Sequence, residues 1–486
     1  MRGFKFGLAV AISSTMILAG CSSSDSKDGG SKVMHALGKD EKVTIKVMYY
    51  DERSFFQQYG NLFYSKFPNV DIEVITNQGI YGEGKDPEKE FNKLIEEQKP
   101  DVLMLDINRY EKMAEEGKLL ALDAVIKQDK FDIENISPAI TDILRSKGNG
   151  TLYGLSPSFQ SEVLMFNRDL FEQNGIEVPR DQMSWSEVLD LAKRFPISGE
   201  EDKRIFGFFQ NNYGQTSVYQ FASMIARTEK LSAVDPESLK VTINTDDWKK
   251  IFQTSIDALN SKAMNSTQPE NNNMQQTMGD YLKRDYFVSG RAAMTIGSFY
   301  LLDQFKQAKD QIKDYKPFNW EMVTVPVDPK NPDITTGFGI YELYAINAQS
   351  TVQRAAWEFI KYLNSDEFAK IISRSTQQLL SRTSYIKDKD GHNFEAFYKL
   401  KADTDLYKGY EKIPQNFYQV FNQIVDEEMK LVVESKKSLD EVLPTIQTRG
   451  QEAMDKAIAE SKVKKVTEGT STQEIDAVKA TTEPAE

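Results

Sequence analysis

The chain has 486 residues, 40% hydrophobic and 11% aromatic, which supplies packed cores for two or three domain-sized units and excludes disorder throughout. A formal net charge of −13, from 60 basic and 73 acidic residues, excludes broad electrostatic capture of nucleic acid and is repelled by an anionic membrane surface. Two histidines, His35 and His392, and one cysteine, Cys21, leave almost nothing for a zinc site or a disulfide framework.

Met1 to Gly7 carries Arg2 and Lys5, and Leu8 to Ala19 is an apolar run broken only by Ser13, Ser14 and Thr15. That profile predicts a signal peptide over 1–20, too short for a membrane span. It ends in LAGC, Leu18 to Cys21, which resembles a bacterial lipobox and places the sole cysteine where a diacylglyceryl group is attached. Two acyl chains anchor stably where one is marginal, at about 0.8 kcal/mol per buried methylene. The mature protein is thus expected outside the cytoplasm, tethered to a membrane by Cys21 and not spanning it. Residues 21–42, rich in Ser, Gly, Asp and Lys, read as a flexible leash reaching roughly 25 Å.

Val43, Ile45, Val47 and Tyr49 alternate as a strand, and Phe55, Tyr59, Leu62, Phe63 and Phe67 recur at helical spacing. Ile72 and Val74 open a second strand, Phe91, Leu94 and Ile95 mark a second helix, and Val102 to Leu105 is an apolar run suited to a sheet buried on both faces. This β-α-β-α-β order predicts a parallel sheet with its ligand crevice at the carboxyl ends of the strands, which points to Tyr49, Tyr50, Asp51 and Glu52 after the first and Asp106 after the third. GIYGEGKD, Gly79 to Asp86, approaches a phosphate-binding loop, but Asp86 stands where Ser or Thr must hold magnesium. Strands are expected at Ile205–Gln210 and Ala292–Ile296, and helices at Ser186–Arg194, Thr245–Leu259, Thr351–Leu363 and Leu439–Ala459. DKDG, Asp388 to Gly391, lacks the downstream glutamate of an EF-hand and reads as a turn. Residues 461–486, polar and nearly free of aromatics, read as a disordered tail.

Five segments, in order, resemble the family 1 extracellular solute-binding proteins, the maltose-binding-protein-like receptors of ABC importers. They are Pro100 to Asp123 (PDVLMLDINRYEKMAEEGKLLALD), Gly150 to Pro179 (GTLYGLSPSFQSEVLMFNRDLFEQNGIEVP), Ser184 to Phe195, Phe287 to Leu301 (FVSGRAAMTIGSFYL), and Thr335 to Ser350 followed by Ala355 to Leu363. The resemblance implies an α/β, two-lobed periplasmic-binding-protein type II fold, each lobe a mostly parallel sheet flanked by helices and joined by hinge crossovers. Lobe 1 would comprise 43–156 plus about 322–363, and lobe 2 would comprise 157–321 plus about 364–460. The chain departs from the family at Gln377 to Ser384 (QQLLSRTS), where a glycine- and proline-containing turn is usual. Phe299 takes a ligand-stacking place where tryptophan is common, consistent with a smaller or differently oriented ligand.

A sugar ring presents C–H faces that pack on aromatic rings and hydroxyls that need directional partners. The expected plates are Tyr50, Phe159, Tyr213, Phe299 and Tyr341, and the expected hydrogen-bonding groups are Glu52, Asp106, Gln160 and Asn212. Asp106 also suits a helix cap. The implied function is capture of a small polar ligand, a sugar or oligosaccharide, by lobe closure and its delivery to the permease of an ABC importer. The protein is read as a monomer, without catalysis, cofactor, metal or nucleic-acid partner. Polyols, glycerol phosphodiesters and metal chelates share the scaffold, and the aromatic supply favours carbohydrate. Two alternatives stay open: a lipoprotein presenting its ligand to a sensor, and an extracellular carbohydrate-active enzyme using two of the many carboxylates.

Overall fold

The computed structural model describes residues 34–82, 85–198, 200, 204–210, 217–265, 277–375, 378–386, 391–405 and 408–481, with side chains as far as residue 462, Glu411 excepted. The strand Val43–Tyr49 lies between Val70–Thr76 and Val102–Leu105, parallel to both. Leu343–Ile346 returns antiparallel beside Val102–Leu105, and Gly154–Leu155 closes the edge, giving the order 70–76, 43–49, 102–105, 343–346, 154–155. Every residue of Val102–Leu105 is buried, as an uninterrupted apolar strand with both faces covered must be.

The helices between these strands start at side-chain caps. Asp51 accepts from Ser54 N, Asp86 caps a helix with Pro87 in its first turn, and Asp106 accepts from Asn108 N and Arg109 N. The first connection runs from Glu52 to Lys66 and contains a π-helical turn at Phe56–Gly60. Phe55, Tyr59 and Phe63 are spaced by four, and an α-helix of about 3.6 residues per turn rotates such a row off the sheet. The widened turn takes up that drift and keeps all three buried. Gly60 is required there, because a Cβ would lie 2.5 Å from Phe56 Cδ1 and 2.9 Å from Phe55 Cε1.

The second sheet has the order 320–324, 158–167, 292–298, 206–209, 264–265. Its last three strands are mutually parallel, whereas Ser158–Asn167 runs antiparallel to both of its neighbours, so this sheet is mixed. One face is covered by the helices Trp185–Ala192, Val218–Thr228, Asp246–Asn260 and Gln415–Val433 and by the long last helix, around a core that includes Phe208, Phe221, Phe252 and Phe421. The predicted stripe on that last helix is buried at Leu439, Val442, Leu443, Ile446, Met454 and Ala457, with Ala453 partly buried.

Three boundaries differ from the sequence reading. Trp320–Thr324 pairs with Ser158–Asn167, so the chain returns to the first sheet at Leu343 and not near 322. The helix Asp366–Ile372 belongs with the first lobe, since Phe368 packs on Tyr59 and Tyr362 at centroid distances of 5.9 and 5.5 Å. The last helix spans Leu439–Thr481, into the segment read as a disordered tail; its Ala, Lys and Glu residues are good helix formers, and composition alone understated that propensity.

Candidate functional site

The three passages between the sheets meet on one strand. The chain leaves the first sheet at Leu155 and enters the second at Ser158; it returns between Phe338–Gly339 and Leu343; it crosses again at Leu379–Leu380. Phe338–Gly339 and Leu379–Leu380 both pair with the start of Ser158–Asn167. Buried serines join the passages: Ser156 Oγ lies 2.6 Å from Glu342 O, Ser381 N donates to Pro157 O at 2.9 Å, and Ser381 Oγ donates to Ser156 O. Three adjacent crossings held by local hydrogen bonds make a hinge, because the lobes can rotate about them without breaking either sheet.

A cavity of about 340 Å³ opens at this hinge. Its lining includes four residues expected from sequence, Phe159, Gln160, Phe299 and Tyr341, together with Tyr300, Glu342 and Gln378. Tyr341 and Glu342 immediately precede a first-lobe strand, and Phe299 and Tyr300 follow the second-lobe strand Ala292–Ser298, so both lobes contribute. The rings differ in availability. Tyr300 and Tyr341 are each 59% exposed, whereas Phe159 is buried and stacked on Phe338 at 5.0 Å. Phe299 is half-buried, edge-on to Phe394 and Phe397, and forms the wall shared with a second cavity of about 270 Å³ containing Trp320 and His392.

The other expected residues lie elsewhere. Tyr50 is 40% exposed at the carboxyl end of the first strand. Burial first, and then the proximity of Glu342, Tyr81 and Asp106, push its phenol up, and it does not line the cavity. Asp106 spends Oδ1 on its helix cap and faces Arg109 at 3.5 Å, a structural role that the sequence reading had weighed. Glu52 is exposed in the first turn of its helix and does not line the cavity. Asn212 and Tyr213 lie outside the described residues.

Glu342 is the feature that sequence reasoning missed. Its carboxylate receives Tyr59 Oη on Oε2, with Tyr344 Oη 3.4 Å from the same oxygen and Tyr49 Oη 3.4 Å from Oε1, Tyr49 making its shorter bond to Gln58 Oε1 at 2.6 Å. Burial pushes this carboxyl up from its ordinary value, and the three phenol donors pull the other way without cancelling it. Among the described residues no Lys or Arg pairs with Glu342, and none lines the cavity. The signal was present as an acidic residue inside GIYELYAI, in phase with Tyr344 on an otherwise apolar strand. Among the described residues no group of three His, Cys, Asp or Glu could hold a metal ion, and no helix is long and apolar enough to cross a membrane.

Known proteins share this architecture. The sugar-binding protein MalE of Xanthomonas citri superposes with a TM-score of 0.58 at 15% identity, covering 86% of this chain and 99% of that one. A Listeria monocytogenes ABC substrate-binding protein in complex with cycloalternan gives 0.54 at 20% identity, covering 85% and 100%. These establish the two-lobed periplasmic-binding-protein fold. A putative binding protein of Brucella abortus is 24% identical over 233 residues, 47% of this chain and 48% of the relative, so the match spans about half of that relative's length. The sn-glycerol-3-phosphate-binding periplasmic protein of the same organism is 30% identical over 89 residues, 18% of this chain and 20% of its own. The model for the bacterial extracellular solute-binding proteins matches residues 50–370, well over half of the sequence, and the chain belongs to that family.

Proposed function

We propose that this protein captures a sugar or oligosaccharide between its lobes and hands it, chemically unchanged, to the permease of an ABC importer. The observation that carries this reading is the hinge cavity, where exposed Tyr300 and Tyr341 rings from opposite lobes flank Gln160, Gln378 and Glu342. Flat apolar plates with amide and carboxylate partners suit a pyranose, whose C–H faces and hydroxyls need both. Because each lobe supplies contacts, a bound sugar stabilises the closed state over the open one, and that differential is what a permease can read. Neighbours of the same fold described as sugar-binding, or solved with cycloalternan, make carbohydrate the first class to test. Residues 1–20 as a cleaved signal, Cys21 as the lipid-bearing first residue and 21–42 as its leash would hold a monomeric receptor beside the permease.

The test is a thermal-shift screen of the mature protein against mono- and oligosaccharides, followed by labelled-sugar uptake in a deletion strain. A sugar at a hundred times its dissociation constant adds about 2.7 kcal/mol of stability. Stabilisation by a sugar that is recovered unaltered, with loss of its uptake on deletion, is the expected result. No stabilisation by any carbohydrate, or turnover of the bound one, overturns the proposal. Mass spectrometry of the mature chain checks for a diacylated Cys21 at its start.

A further inference from the structure

We infer that Glu342 makes the cleft select by charge, admitting uncharged or ammonium-bearing sugars and refusing phosphorylated ones; this rests on the sugar-receptor reading and specifies its ligand class. The carboxylate lines the cavity, and its only hydrogen-bonding partners among the described residues are the hydroxyls of Tyr49, Tyr59 and Tyr344. Phenols donate hydrogen bonds but carry no compensating charge.

Among the described residues, positive charge lies outside the cavity lining, and that of Arg109 is already paired. Arg109 is held by Glu88 at 2.8 Å and by Asp106 at 3.5 Å. Lys306 and Lys309 line the second cavity, which has only Phe299 in common with the cleft, and Lys306 faces Asp303 at 3.8 Å. Of the undescribed segments between 34 and 481, 201–203 carries Lys203 and 387–390 carries Lys387 and Lys389, whereas 211–216, 266–276 and 376–377 contain no Lys or Arg. A phosphate carried into this cleft would lose water and meet a carboxylate with no cation among the described lining residues to offset either cost. An ammonium group would instead neutralise a charge that burial has left unpaired. The likeness to a glycerol-3-phosphate-binding protein covers 18% of this chain, and none of the described residues lining the cleft is basic, as a phosphate ligand would require.

The experiment uses three matched pools of mono- and disaccharides, neutral, 6-amino and 6-phosphate, titrated into the mature protein and followed by thermal shift and calorimetry. The neutral and amino pools should both stabilise the protein, the amino pool at least as strongly, and the phosphate pool should bind about a hundredfold more weakly. Glu342→Gln keeps an acceptor for Tyr59 and should raise affinity for the phosphate pool by about tenfold while removing the amino preference. Phosphate binding equal to neutral binding, an amino pool weaker than the neutral one, or a Glu342→Gln variant that still refuses phosphate each overturns the inference and leaves the sugar reading standing. Silence from all three pools defeats the sugar reading itself. The wild-type comparison stands whether or not the variant folds.

Discussion

Asp129 and Glu342 are both carboxylates largely withdrawn from water in the first lobe, and their surroundings drive them in opposite directions. Asp129 follows the helix Asp123–Gln128 and faces Gln353–Leu363, where Arg354 grips both oxygens at 2.9 Å, Lys361 reaches Oδ2 at 2.7 Å and Trp357 Nε1 donates at 3.0 Å. Burial by itself pushes this carboxyl up, and these donors outweigh it, holding the group at about 2. Glu342 has one close donor, the Tyr59 phenol, with the Tyr344 and Tyr49 hydroxyls at 3.4 Å, and burial prevails. Withdrawal from water therefore does not decide a carboxylate's state; the presence of a formal positive charge does. The first group is closed on itself and fastens two helices, whereas the second leaves an unsatisfied charge facing a cavity.

Removing Asp129 breaks the comparison on its stable side and has the largest expected effect. Asp129→Ala leaves Arg354 and Lys361 with Glu358 alone, and stranding a mostly buried cation pair costs about 3–5 kcal/mol. Urea unfolding should show the midpoint falling with little change in slope, while sugar affinity under native conditions stays as in the wild type. Next in size is Gly60→Ala. Its new Cβ collides with the rings of Phe55 and Phe56, so the π-helical turn must shift at a cost of about 1–3 kcal/mol. Because that turn carries Tyr59, this variant should weaken sugar binding as well, which separates it from Asp129→Ala in the same pair of assays.

The two carboxylates were unequally legible in the sequence for the same reason. Alternation at Val43 to Tyr49, the apolar run Val102 to Leu105 and the caps Asp51 and Asp86 are local signals, and the strands and helices they imply are those present. Glu342 acquires its meaning from Tyr49, 293 positions away, and from Tyr59, 283 positions away, contacts that no window of sequence contains. The sheet to which Trp320–Thr324 belongs is hidden likewise, because it depends on pairing with a strand some 150 residues earlier. At the cleft, Phe299 was marked by its place in a motif, yet Tyr300 beside it presents the more exposed ring; adjacency in a turn after a strand does not reveal which of two residues faces the opening.

Acidification sharpens the contrast with a smaller effect. The folded Asp129 sits below its ordinary 3.8, so the stability it contributes is whole above 3.8 and drains as pH falls toward 2, on the order of 1–2 kcal/mol after allowance for solvent screening. Glu342 runs the other way: its folded value lies above the ordinary 4.5, so its contribution is whole below 4.5 and is lost as pH rises beyond it. Urea midpoints across the acid range should therefore fall below pH 4 in the wild type and fall less steeply in Asp129→Asn, where Asp132 and the capping carboxylates still titrate.

Tyr59→Phe makes the finest cut. It removes the one close donor and leaves the Tyr49 and Tyr344 hydroxyls 3.4 Å from Glu342, at a cost of about 1 kcal/mol. Losing a donor to the charged form raises the carboxyl further, so ionisation needs a higher pH. Binding of an amino sugar should then rise with pH along a curve displaced to the alkaline side of the wild type, while neutral sugars show no such displacement. The matching change at the other carboxylate, Trp357→Phe, also removes one uncharged donor, but Arg354 and Lys361 remain on Asp129. Its acid transition should move far less. An equal displacement in both variants would mean that phenols and cations hold their carboxylates alike, and the distinction between a charge that fastens helices and one that selects a ligand would fail.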